Sequence, residues 1–184
     1  MTDQHCYARG MFEDMKTFTI ALLSFVLCIA SLAYSQSDVM LIRWKFIDDF
    51  VDNGISLPIT ASLADIQALG KVKKIEVEYY DSPHSKTLVL EMRTFHFDGL
   101  QIVAHFVKGD DSKAQLSKAI VTGSKWKIHK GLNIGTNVQA VVKALGVPTA
   151  KNDASYEYCG ATECVIFDIA NNKVSKITFS YYLD

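Results

Sequence analysis

Ala-Leu-Gly occurs twice in this chain, at 68–70 and 144–146, and each copy closes the same kind of segment. Between Thr136 and Leu145, the residues Val138, Val141, Val142 and Leu145 fall at i, i+3, i+4 and i+7, the stripe of an amphipathic helix. Thr136 or Asn137 can cap its start, Gly146 can take a positive φ past its end, and Pro148 forbids continuation. Upstream, LPITASLADIQALGKV at 57–72 offers Thr60 or Ser62 as cap and Leu63, Ile66 and Leu69 as stripe. Leu57 and Leu132 are 75 residues apart, and the two Ala-Leu-Gly triplets 76.

Strand-like runs follow both helices. After the first come IEVEYY, TLVLEMRTFHF and LQIVAHFV, the last two joined by the hairpin dipeptide Asp98-Gly99. After the second come SYEYC, CVIFDI and VSKITFSYY, with a turn at Asn171-Asn172. At an offset of 75, Ile102, Ala104 and Phe106 overlie Ile177, Phe179 and Tyr181, so order and parity both coincide. An internal duplication accounts for this. The expected fold class is therefore α+β: two tandem repeats of a short helical segment plus antiparallel strands, with the helices packed on one face of the sheet. The repeats are placed at 36–108 and 109–184, and the polar cluster GDDSKAQ, 109–115, is read as the turn between them. A strand, LSKAIVTGSKWKI, is expected after it. For 38–54 a helix is expected from Val39, Ile42, Phe46 and Phe50, closed by Asn53-Gly54, although Ile42, Trp44 and Phe46 also alternate like a strand.

The amino-terminal stretch stands apart. Met15–Ser35 has one basic residue, an apolar run from Phe18 to Ala30, and small Ala33 and Ser35 where a signal peptidase reads, which is the pattern of a signal peptide cleaved before Gln36. The apolar run is shorter than the ~18–20 residues a spanning helix needs. Residues 1–14 then read as an upstream extension, with Met15 as the start. Removing Arg9, Lys16, Asp3, Glu13 and Asp14 from 19 basic and 20 acidic residues leaves 17 of each in the mature chain. Such balance argues against nucleic acid or an anionic membrane surface as the partner, and no stable membrane span remains after cleavage. Of four cysteines, Cys159 and Cys164 stay, flanking Gly-Ala-Thr-Glu at the neck of a hairpin where a disulfide can close. A zinc site is the competing reading, made poor by the lack of histidines nearby. A disulfide fits a periplasmic or secreted location.

Two helix-plus-hairpin units repeating at about 76 residues behind a signal peptide resemble the secreted beta-lactamase inhibitory protein family. The second unit, with GLNIGTNVQAVVKALGVP followed by YEYC and VSKITF, is also similar to the domain of the small outer-membrane assembly lipoproteins. The resemblance implies a sheet that presents a broad face to a protein partner. Two departures stand out: the first repeat has no cysteine pair, where the inhibitor has a disulfide in each unit, and Leu27 precedes Cys28 where lipid attachment wants a small residue.

No reaction is legible. There is no Gly-x-Ser-x-Gly elbow, and no catalytic residue, cofactor or metal ligand set is expected. If Asp98-Gly99 closes a two-residue hairpin, His96 faces Gln101 and His105 faces Met92, ~13 Å apart and too far to share a metal. His84 and His129 read as turn and loop histidines. Asp48, Asp49 and Asp52 lack the alternating-oxygen calcium loop and read, like Asp110-Asp111, as solvated charges. Gly131 and Gly135 lack the lysine of a phosphate-binding loop, and Lys71, Lys73 and Lys74 lack aromatic interleaving.

What remains is surface. With Ile102, Ala104 and Phe106 inward, Gln101, Val103, His105 and Val107 point outward, joined by Lys176, Thr178, Ser180 and Tyr182 from the second unit. These eight are the binding-surface candidates of an exported, non-enzymatic protein-binding module, inhibitory or envelope-assembling, whose partner is an envelope or extracellular protein. The alternative is an exported small-ligand-binding protein or hydrolase with a cleft between the repeats. Mass spectrometry of the mature protein is expected to find Gln36 at the amino terminus and the two-hydrogen mass loss of a Cys159–Cys164 bridge; a Met15 or Met1 terminus would refute cleavage.

Overall fold

The computed structural model describes residues 38–82, 85 and 87–182; the leader and extension readings for 1–35, and His84, lie outside them. The chain divides into two units, Met1–Ile42 and Arg43–Asp184, and the second carries every strand of the described residues. A helix, α1, runs over 38–52 and ends where the Asn53 side chain donates to the Asp49 carbonyl at 2.8 Å. The helix expected for this segment forms, but its stripe is displaced. Val39 and Ile42 are exposed, whereas Ile47, Phe50 and Val51, at i, i+3 and i+4, are fully buried. The displacement has a cause in packing: Phe50 centres the buried turn, its ring 6.4 Å from Phe167 and 6.3 Å from Phe179 on the sheet.

The two expected helices form as well. Helix α2 (Leu63–Ala68) starts in a capping box: Ser62 Oγ accepts from the Asp65 amide, and the Asp65 carboxylate accepts from the Ser62 amide. Helix α3 (Val138–Leu145) is capped by Asn137, buries Val138, Val141 and Leu145, and ends at Gly146 with φ of 81°. Among the described residues no helix is long and apolar enough to cross a membrane.

The strands are β1 (Thr60–Ala61), β2 (Lys74–Asp81), β3 (Val89–Phe97), β4 (Leu100–Val107), β5 (Asp110–Val121), β6 (Ala150–Lys151), β7 (Ser155–Cys159), β8 (Cys164–Ala170) and β9 (Lys173–Ser180). They form one antiparallel sheet in the order β2-β3-β4-β5-β9-β8-β7-β6, with β1 on the first half of β5. Two-residue turns join β3 to β4 at Asp98-Gly99 and β8 to β9 at Asn171-Asn172. One row of facing residues, Phe95–Ile102–Ala119–Phe179–Val165–Tyr158, crosses six strands, and every member is completely buried. The inward set read from alternation, Ile102, Ala104, Phe106, Ile177, Phe179 and Tyr181, is buried throughout.

The polar cluster at 109–115 is not the turn it was expected to be. Only Lys108-Gly109 turns; Asp110 begins a twelve-residue strand that pairs with β4, then β1, then β9. Its polar start is a strand end at the surface, tied down by an ion pair of 2.7 Å from Arg93 to Asp111. The strand expected over 116–128 stops at Val121. Opposite Val103 and Ala104, β5 carries one extra residue, Ser117, a β-bulge. Leu116 and Ala119 consequently share the buried face at a spacing of three, which hides the strand from any period-two reading.

Phe50 and Phe179 meet beneath the chain reversal at Gly54, where an added Cβ would lie 2.3 Å from a Phe179 ring carbon. Gly54→Ala is expected to destabilise the protein by about 1–3 kcal/mol in urea unfolding, through displacement of that ring. An unchanged midpoint would show that the ring has room to move.

Candidate functional site

The register sorts the expected surface residues. Gln101 faces Ile120, which faces Thr178; Val103 faces Lys118, which faces Ser180. Seven of the eight candidates therefore lie on the face opposite the buried row, with β5 between the two groups. Lys176 and Val107 are exposed, and Gln101, Val103, His105, Thr178 and Ser180 are half-buried among their neighbours. Lys176 pairs with Asp168 of β8 at 2.6 Å. Tyr182 lies just past β9, also exposed; its amide donates to both oxygens of Glu163 at 3.1 Å and its carbonyl accepts from Gln115 at 3.0 Å.

His105 is the most connected of these side chains. Nδ1 meets the Tyr80 hydroxyl and Nε2 lies 2.9 Å from Ser117 Oγ, which in turn reaches the Val103 carbonyl at 3.4 Å. The bulge is what turns Ser117 toward the histidine. The chain of hydrogen bonds can run either way. With Tyr80 donating, Nε2–H donates to Ser117 and the serine to Val103; with Nδ1–H donating to Tyr80, Nε2 is free to accept the serine proton. Burial pushes the His105 pKa down, so the imidazole is held neutral. Its companion His96 faces Gln101, and His105 faces Met92, as the hairpin geometry required. His96 Nε2 stands 3.5 Å from Glu76, an ion-pair distance without a made hydrogen bond.

Cys159 and Cys164 face each other across the β7–β8 hairpin in a disulfide, with Cα atoms 4.2 Å apart. Glu157 completes a three-residue group whose ligand atoms lie within 4.8 Å, but both sulfurs are spent on each other. The loop they close has a function in the fold that the sequence did not reveal. The amides of Ala161, Thr162 and Glu163 converge on the Asp48 carboxylate at 3.0, 3.3 and 3.0 Å, so Asp48, read as a solvated charge, is the anion in a backbone nest. Only glycine fits at 160, where a Cβ would lie 2.1 Å from Asp48 Oδ1. Nearby, burial raises the pKa of Glu163, and the Tyr182 amide partly offsets the shift.

The sequence named β2 as a strand without placing it. It lies at the end of the sheet, paired among the described residues with β3 alone, and all eight of its residues are exposed. Ile75, Val77 and Tyr79 continue the buried face, opposite Phe95, Arg93 and Glu91, yet are 42 %, 42 % and 59 % exposed. Lys74, Glu76, Glu78 and Tyr80 continue the open face, beside His105.

A histidine whose folded pKa lies below its unfolded value of about 6.5 contributes stability that is complete above that pH and is lost as pH falls through the folded value. Glu163, with its pKa raised, acts in the opposite sense above 4.5. Wild type compared with His105→Gln cancels the glutamate: wild type is expected to lose stability relative to the variant as pH drops below about 6.5, in urea unfolding at a series of pH values. Parallel curves would refute an imidazole kept neutral by partial burial. Against known proteins, no family model, no curated protein and no solved structure matches the chain.

Proposed function

We propose that the protein is an exported, non-enzymatic binding module for another protein, and that its β2 edge and the adjoining open face of the sheet form the contact surface. The exposed β2 strand carries this reading. Among the described residues nothing pairs with the outer side of this eight-residue edge strand, and natural sheets ordinarily blunt or cover such edges. Here the uncovered row Ile75, Val77 and Tyr79 is made of side chains that bury well in an interface. An extended segment of a partner, added as a tenth strand, would cover that row with apolar side chains. On the other face its alternate residues would meet Lys74, Glu76 and Glu78; Lys74 pairs with Glu76 at 2.6 Å, and Glu78 favours a basic side chain there. Gln101, Val103, His105, Val107, Lys176, Thr178 and Ser180 extend the same face beyond the edge, and exposed Tyr182 lies just past the end of β9.

The tandem-repeat reading is part of this proposal. Strands β2-β3-β4 lie to one side of β5 and β9-β8-β7 to the other, an order that duplication of one α-β-β-β unit would produce. Phe50 on the buried face is consistent with helices covering that face, and with the broad open sheet implied by likeness to the beta-lactamase inhibitory protein family. The disulfide supports a periplasmic or secreted location.

Affinity capture from the native envelope fraction tests the proposal. Val77→Lys with Tyr79→Lys, and separately His105→Ala with Tyr182→Ala, are expected to lower recovery of the captured partner at least ~tenfold, equivalent to about 1.4 kcal/mol of binding. Thermal stability should change little for the β2 pair, whereas the His105 pair also loses the hydrogen bonds to Tyr80 and Ser117, about 1 kcal/mol each. Undiminished capture, or a large loss of stability, would sink the surface assignment.

A further inference from the structure

We propose a second site, for a small amphipathic anion whose carboxylate is carried on an aromatic body, in the cavity between the end of α2 and the β3–β4 turn. The cavity measures about 680 Å³, within the range of small-molecule sites. Three segments distant in sequence build it: the chain leaving α2, the turn at Asp98, and the residues that follow β5. Leu69, Phe97 and Trp126 supply apolar walls. Trp126 is held in place, edge-on to Phe97 with ring centroids 6.0 Å apart and its indole N–H donating to the Asp98 carbonyl at 2.8 Å. An aromatic body slid against that indole would bury apolar area without having to order the ring first.

The charges decide the sign of the ligand. Among the described residues, Lys71, Lys73 and Lys125 line the cavity with Asp98 as their sole carboxylate, a net charge of two positive. Asp98 accepts from Lys73 at 2.7 Å and from Lys125 at 3.0 Å, which pulls its pKa down to about 2 and gathers both ammonium groups at the rim. Each ammonium has three protons and spends one on Asp98, so donors remain for a second carboxylate. A smaller hollow at the start of α3, of about 380 Å³, sets Lys151 against Asp153 and has no net charge. The positive balance thus belongs to this cavity and is not a general feature of the fold. The site is separate from the β2 surface and does not depend on that reading.

The test uses 2-naphthoate as the probe and its uncharged amide as the control, with the two tryptophan indole N–H signals of the full mature protein followed by NMR and assigned through Trp126→Phe. Naphthoate is expected to shift the Trp126 signal saturably in the micromolar to about millimolar range and to leave Trp44 in place. Binding should weaken at least ~tenfold for naphthamide and for Lys73→Gln with Lys125→Gln, whereas Lys73→Arg with Lys125→Arg, which keeps the charge, should bind within ~threefold of wild type. Equal binding of acid and amide, full affinity in the glutamine variant, loss in the arginine variant, or a Trp126 signal that never saturates would each overturn the proposal.

Discussion

Ala119 faces Phe179 where β5 meets β9, and the two halves of the sheet are joined through that pairing. Four residue pairs, Lys118–Ser180 to Val121–Ile177, make the contact, and two of them point completely buried side chains into one core. Phe50 closes over the seam against Phe179, and Gly54 lets the chain turn within contact of the same ring. Edge pairing of backbone and burial of apolar rings reinforce each other here. Without the pairing, each half would expose a strand edge and half of an apolar face, so neither is a self-sufficient layer.

Much of this was legible from local chemistry. The helices α2 and α3 announce themselves by caps, stripes and glycine stops, and the hairpins at Asp98-Gly99 and Asn171-Asn172 by their turn residues. Parity was equally plain in β4 and in β9 from Lys176 onward, but an irregularity at Ser175 buries Val174 three residues before Ile177, out of step with the rest of β9. Illegible features depend on contacts between distant segments. The stripe of α1 is set by where Phe167 and Phe179 lie, not by which helical residues are apolar, so Val39 and Ile42 misled. Asp48 could not be read as a nest anion because its donors are more than a hundred residues away.

The candidate surface shows the same division. Alternation placed Gln101, Val103, His105 and Val107 on one face, but no periodicity reports that β2 ends the sheet or that Tyr80 reaches across β3 to His105. Edge position is a property of topology, and a row such as Ile75, Val77 and Tyr79 has the same pattern whether a neighbour covers it or not. Charge pairs behave similarly: Lys73 and Lys125 become one cationic rim only because the turn at Asp98 stands between them.

The extra residue at Ser117 divides β5 into two stretches of opposite parity: Ala114 and Leu116 before it and Ala119 and Val121 after it reach the same core from even and odd positions. The first stretch answers to β1 and the outer half of β4, the second to β9. Loss of a single residue between them would make the ladder regular from Ala114 to Val121, but only by turning one stretch inside out or sliding it along its neighbours. The irregularity therefore acts as a register key between the halves of the sheet, and the chain can lengthen or shorten at the Lys108-Gly109 turn far more readily than at Ser117.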